Sequence, residues 1–162
     1  MNFIGSKEVK EINNILVGEV WLCVGQSNMA GKMGGTGIKG ADYPSLRQLA
    51  SSTNGSWLVC TPEGASGFKR VCYSFAKRMH GDILVPIGII NAAVGGSKIE
   101  TWLNQKPFER GCNYDKYIEP IVGFGLRGAV WYQGESNEKD RRDYLPKLSS
   151  LITGWRDAWN QP

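Results

Sequence analysis

Only one histidine, His80, occurs in the 162 residues. Imidazole is the usual general base and metal ligand near neutral pH, so a single copy narrows both roles. The four cysteines, Cys23, Cys60, Cys72 and Cys112, include no Cys-x-x-Cys pair, so a zinc site is not expected. No apolar run approaches the ~18 residues of a membrane span. The first residues show no apolar stretch of signal-peptide length. Charge of one sign accumulates nowhere. The 19 basic and 15 acidic residues are scattered, and the densest cluster, Glu138-Lys139-Asp140-Arg141-Arg142, is mixed in sign. Neither nucleic acid nor a membrane surface is therefore an expected partner.

What is present suits one globular domain with its own core: hydrophobic residues make up 41% and charged residues 21%. Cys23 and Cys72 fall in apolar segments and are expected as buried thiols. Asn54-Gly55-Ser56 is a glycosylation sequon in an expected loop. Twenty-one glycines is a high count, and many stand in turns that follow apolar runs.

Three such turns organise the chain. Val17 to Val24 reads as a strand buried on both faces, as in a parallel sheet. It empties into Gly25-Gln26-Ser27-Asn28-Met29. Ile83 to Asn91 is a second strand, with Pro86 marking its start, and ends in Ala92-Ala93-Val94-Gly95-Gly96-Ser97. Leu126 to Tyr132 is a third, followed by Gln133-Gly134-Glu135-Ser136-Asn137. Residues 67 to 80 show helical periodicity, with Gly81-Asp82 expected to stop the helix. Tyr43 to Ala50 is expected as a short helix, and Trp57 to Cys60 as a short extended piece. Glu138 to Trp159 is a helix whose apolar stripe includes Tyr144, Leu148, Leu151 and Trp155, with Pro146 dividing off a short lead-in. Residues 1 to 16 form a lead-in or linker, and 17 to 162 the domain. Strands alternating with helices imply βαβ units, a parallel sheet and an α/β fold. The three turns then share one sheet edge, where open α/β sheets bind ligands.

Ser27 on a tight strand-end turn is a candidate nucleophile, with the backbone amides after it as candidate oxyanion donors. Taken alone, the serine is more simply read as a helix cap. The companion turns shift that balance. Gly95 and Gly96 offer unobstructed amides, and the Gln133 side chain is a further donor. Glu135 and Asn137 can hold the third turn by local hydrogen bonds.

These motifs, Gly-Glu-Val-Trp-Leu-Cys-x-Gly-Gln-Ser-Asn-Met, Gly-Gly-Ser-x-Ile-Glu-x-Trp and Val-Trp-Tyr-Gln-Gly-Glu-Ser-Asn, resemble the sialate O-acetylesterase and acetylxylan esterase group of the SGNH hydrolases. The likeness runs from about Val17 to Trp159. It implies a three-layer α/β/α sandwich of flavodoxin-like type that hydrolyses O-acetyl esters of carbohydrates, of sialic acid or xylan type, without a metal or organic cofactor. By matching position it assigns Ser27 as nucleophile. The oxyanion hole comes from the Ser27 amide, Gly95 or Gly96, and Gln133, with Gln26, Asn28, Glu135 and Asn137 in support. The group's base is a histidine in an Asp-x-x-His motif, which this sequence does not contain. His80, at a helix end, reads as structural, because a partial positive charge suits that terminus. The resemblance therefore implies part of a longer esterase, with the first three βα units and an open hydrophobic strand edge that favours self-association. The compartment is left open, since relatives often work outside the cytoplasm or in lysosomes. Gly35-Thr36-Gly37-Ile38-Lys39-Gly40 spells a dinucleotide fingerprint without the preceding strand, and is set aside. Trp102, Trp131, Trp155 and Trp159 are expected mainly as packing residues.

Overall fold

Glu19–Gly25 leaves the sheet at its carboxyl end directly into Ser27, and the rest of the architecture surrounds that strand. The computed structural model describes residues 2–4, 9–35, 38–50 and 56–161. The Asn54-Gly55-Ser56 sequon and the Thr36-Gly37 part of the dinucleotide-like motif therefore fall wholly or partly outside the described residues.

Two short strands, β1 (Asn2–Ile4) and β2 (Val9–Glu11), pair antiparallel apart from the main sheet. That sheet contains β3 (Glu19–Gly25), β4 (Tyr43–Ala50), β5 (Leu58–Cys60), β6 (Ile87–Asn91) and β7 (Gly128–Tyr132), in the order β5-β4-β6-β3-β7. β4, β6, β3 and β7 run parallel, whereas β5 is antiparallel to β4. The sheet is therefore mixed, which corrects the all-parallel expectation: β4 and β5 are neighbours in sequence and in space, a link that needs no crossover.

Both faces are covered, and strict alternation along β3 shows it. Leu22 and Val24 join a core with Ile90, Trp102, Leu103, Ile118, Leu151 and Trp155. Cys23, between them, joins the opposite core with Leu46, Phe68, Cys72, Ala76, Ile87 and Ile89. Helix α2 (Arg70–Ile83) serves the second core and α3 (Arg141–Trp159) the first. The layering is α/β/α. Burial on both faces explains why β3 and β6 read as near-continuous apolar runs. Trp131 stacks edge-on against Trp102 at 6.1 Å and Trp155 at 6.0 Å, so these rings pack the interior. Cys23, Cys60 and Cys72 are free and buried.

Three local expectations change. Tyr43–Ala50 is a strand, not a helix: Leu46 and Gln48 are buried on one side of it, a period of two that the polar Gln48 disguises. The Gln48 amide is buried because it donates to the Gly67 carbonyl and accepts from the Lys69 amide. Helix α2 runs through Gly81 and Asp82, where Arg78 bridges Asp82 at 2.8 Å, and ends only at Leu84, which is left-handed with φ 55°. Pro86 two residues on cannot continue it. α3 is continuous through Pro146. Before it, Glu135–Asp140 forms a short helical turn.

Candidate active site

Gly25 sets the first turn. Its φ is +152°, and a Cβ there would lie 2.0 Å from the Tyr132 carbonyl oxygen, so only glycine fits. The Gln26 amide donates to that same carbonyl at 3.0 Å. The single-turn helix α1 (Ser27–Ala30) follows at once. An initial helical turn leaves its first amides without intrahelical partners. Ser27 is exposed, and its hydroxyl has no hydrogen-bond partner among the described residues.

The chain leaving β6 is fastened along the end of β3: the Ala92 amide donates to Cys23 O and the Val94 amide to Gly25 O, each at 2.9 Å. This carries Gly95-Gly96 to the level of the first turn. Gly96 is left-handed, with φ +71°, and a Cβ on either glycine would meet nothing within 4 Å. Both are exposed. Ser97, by contrast, is buried; its hydroxyl accepts from Trp102 Nε1 at 3.1 Å and donates to Gly25 O at 3.4 Å.

Side chains bind the third turn to the other two. Gln26 is 4% exposed, and its Oε1 accepts from the Ser136 amide at 3.0 Å and the Gly134 amide at 3.4 Å. Asn28 Nδ2 donates to the Glu135 carboxylate. Asn137, 1% exposed, accepts from the Ile99 amide at 2.9 Å and donates to Glu100 at 2.9 Å. Gln133 Nε2 donates to Ser97 O at 3.1 Å and Asn137 Oδ1 at 2.7 Å. Both N–H groups of Gln133 thus have protein partners in this arrangement. The structure brings Gln26, Ser27, Asn28, Gly95, Gly96, Gln133, Glu135 and Asn137 to one edge of the sheet.

Sequence reasoning missed a second layer. The Tyr144 hydroxyl accepts from Trp131 Nε1 at 3.1 Å and faces Gln133 Oε1 at 2.8 Å and its carbonyl at 2.9 Å. Burial pushes the Tyr144 phenol up from its ordinary value, so it stays a donor. Glu100 receives Lys147 Nζ at 2.5 Å. Burial alone would raise the Glu100 carboxyl, but hydrogen bonds from Lys147 and Asn137 outweigh it and hold the group below its ordinary value. Tyr144 was legible only as part of an apolar stripe; Glu100 stood in a quoted motif without a role; Lys147 gave no signal.

His80 is elsewhere. Its Nδ1 lies 2.8 Å from Val85 O, just before β6 begins. Ile87 pairs with Glu19, six residues upstream of Gly25, so His80 is about 20 Å from Ser27 at ~3.3 Å per residue. Among the described residues no group of three or more His, Cys, Asp or Glu is placed to hold a metal.

The carboxyl edge of this three-layer α/β sheet thus presents an exposed serine on one strand-end turn beside a second turn of two exposed glycines. The family model described as carbohydrate esterase, sialic acid-specific acetylesterase, matches residues 17–162, and the chain belongs to that family. It is 28% identical to the human sialate O-acetylesterase over 93% of this chain and 37% of that protein. To the rat sialate O-acetylesterase it is 25% identical, over 92% of this chain and 41% of that protein. A crystal structure of a carbohydrate acetylesterase from Xanthomonas citri superposes with TM-score 0.90 at 29% identity, covering 99% of this chain and 43% of that one. An Arabidopsis thaliana protein, at 22% identity and TM-score 0.66 over 89% of this chain and 70% of that one, shares the fold. The chain spans about two fifths of the length of the curated relatives it matches.

Proposed function

We propose that this domain carries the nucleophile and oxyanion hole of a carbohydrate O-acetylesterase, with an acetylated sugar as substrate. Ser27 Oγ attacks the acetyl carbonyl while a base takes its proton. The Ser27 amide and that of Gly95 or Gly96 receive the developing oxyanion. The sugar alcohol leaves, and water then releases acetate from the acyl-serine. Gln133 was expected as a third donor. With both N–H groups engaged, we assign it to positioning: it joins the second and third turns, and would serve the oxyanion only by exchanging its Ser97 bond. Gln26, Asn28, Glu135 and Asn137 hold the turns in register. Residues 1–16 act as a lead-in to the domain at 17–162.

The observation that carries this reading is the exposed Ser27 hydroxyl beside glycine amides that have no partner among the described residues. A second reading, sugar binding without turnover, is favoured by the position of His80 at the far end of the sheet. Hydrolysis of an aryl acetate with and without added imidazole separates the two. A positioned base contributes roughly 10²–10⁴-fold to such reactions. The esterase reading expects imidazole to stimulate turnover by the 162-residue chain well beyond its effect on Ser27→Ala. Equal stimulation of both proteins refutes it. β7 lies at the sheet edge with no partner on its outer side among the described residues, and its segment Gly-Ala-Val-Trp-Tyr has no charge or proline to discourage pairing. Self-association through this edge is part of the proposal.

A further inference from the structure

The two side-chain amides of the third turn, Asn137 and Gln133, are each locked in one orientation by partners that can only donate or only accept. The Ile99 backbone amide donates to Asn137 at 2.9 Å, which fixes the atom facing it as Oδ1. On its other side Asn137 Nδ2 donates at 2.9 Å to Glu100, a carboxylate held by Lys147. Gln133 then has no choice. Its Nε2 lies 2.7 Å from Asn137 Oδ1 and 3.1 Å from the Ser97 carbonyl, and both of those oxygens only accept. Turning this amide over would set Gln133 Oε1 against two oxygens, with the cost of unsatisfied polar groups on both sides.

Tyr144, in the first turn of α3, closes the arrangement from behind. The Trp131 indole, a donor only, occupies one side of its hydroxyl at 3.1 Å. The phenol proton is left for Gln133, whose Oε1 lies at 2.8 Å and whose carbonyl lies at 2.9 Å. Whichever of the two it serves, Tyr144 ties the same residue to α3. Ser97 directly follows Gly95-Gly96, so the Gln133 N–H bonded to its carbonyl is the one aimed at the second turn. An amide anchored at its oxygen can exchange that bond for a developing oxyanion and keep its aim.

We propose that Tyr144 is a positioning residue for acyl transfer, its hydroxyl keeping the Gln133 N–H aimed at the second turn, where the oxyanion forms. This rests on the esterase reading of the Ser27 turns. Two measurements on Tyr144→Phe, Gln133→Ala and the double variant test it: imidazole-stimulated aryl acetate hydrolysis, and hydrogen exchange of the Gln133 side-chain amide by NMR. Tyr144→Phe should lower kcat about tenfold, the worth of one hydrogen bond made in the transition state, with KM unchanged. Gln133→Ala should lower kcat at least as far, and the double variant no further than Gln133→Ala. The Gln133 amide protons should exchange about tenfold faster or more in Tyr144→Phe than in the parent. An unchanged kcat, a rise in KM alone, losses that multiply in the double variant, or an unchanged exchange rate overturns the proposal. Should Tyr144→Phe fail to fold, the parent alone decides: Gln133 protons that exchange as fast as those of a free glutamine overturn it, and protected ones support it. A parent without Ser27-dependent turnover refutes the esterase reading, while the exchange comparison still decides whether Tyr144 holds the amide.

Discussion

The Ser27 turns at one end of the central sheet and the His80 loop at the other treat their polar groups in opposite ways. At the carboxyl end, Ser27, Gly95 and Gly96 are exposed and the Ser27 hydroxyl and the glycine amides have no partner among the described residues, while the side chains of Gln26, Gln133 and Asn137 around them are tied down. At the amino end the one histidine is bonded to the backbone of its own connecting loop. The contrast teaches that the carboxyl edge keeps donors open at the cost of a supporting network. Open donors on a rigid frame stabilise developing charge without reorganisation.

The sharpest way to break this comparison is glycine replacement, because the glycines of the two first turns differ in purpose. Gly25 is required by the fold: Gly25→Ala forces a Cβ into the Tyr132 carbonyl and should cost ~3 kcal/mol or more in urea unfolding. At Gly95 a Cβ would stand in open space. Gly95→Ala meets no atom and should change stability by less than ~0.5 kcal/mol. A large loss at Gly95, or none at Gly25, would mean the turns are built otherwise.

Next in size is the network itself. Asn137 is buried and satisfies three partners, so Asn137→Ala leaves the Ile99 amide, Glu100 and Gln133 each short of a bond. A loss of ~2–3 kcal/mol is expected by chemical denaturation. His80→Ala should cost only about 1 kcal/mol, the value of one ordinary hydrogen bond, and leave imidazole-stimulated hydrolysis unchanged. A collapse in rate without unfolding would move His80 into the site.

The smallest effect concerns Glu100. Its folded carboxyl lies below the ordinary 4.5, so its contribution is present above that range and fades as pH falls through the folded value. Lys147 is raised above 10.5 by the same bond, so the pair weakens on the alkaline side only beyond that range. Glu100→Gln should lower the melting temperature near about pH 7, and the difference from the parent should shrink toward about pH 3. A constant difference across that range would mean that the Glu100–Lys147 pair does not contribute to stability.

Much of this was legible in the sequence, for physical reasons that differ by element. β3 and β6 were visible because burial on two faces demands unbroken apolar runs, β7 through its β-branched and aromatic residues although it is a half-exposed edge strand, and their turns because glycine marks each exit. β4 was hidden, since a buried glutamine paired to a neighbouring backbone carries no hydrophobic signal. The path of α2 past Gly81 was hidden because a glycine stops a helix only where the chain needs a left-handed residue, and here that residue is Leu84. The Gln133 side chain was found but its bonds were not. Its bond to Asn137 is local, four residues on in the same turn, but its bond to Ser97 is set by the three-dimensional placement of two turns 36 residues apart.

We propose Ser27 as a nucleophile presented to an open oxyanion hole. Mass-spectrometric mapping of acetyl groups after exposure to an aryl acetate and imidazole tests it directly. Acetylation is expected on the Ser27 peptide, absent in Ser27→Ala and reduced when Asn137→Ala loosens the turns. Acetylation confined to lysines, or unchanged in Ser27→Ala, would contradict it.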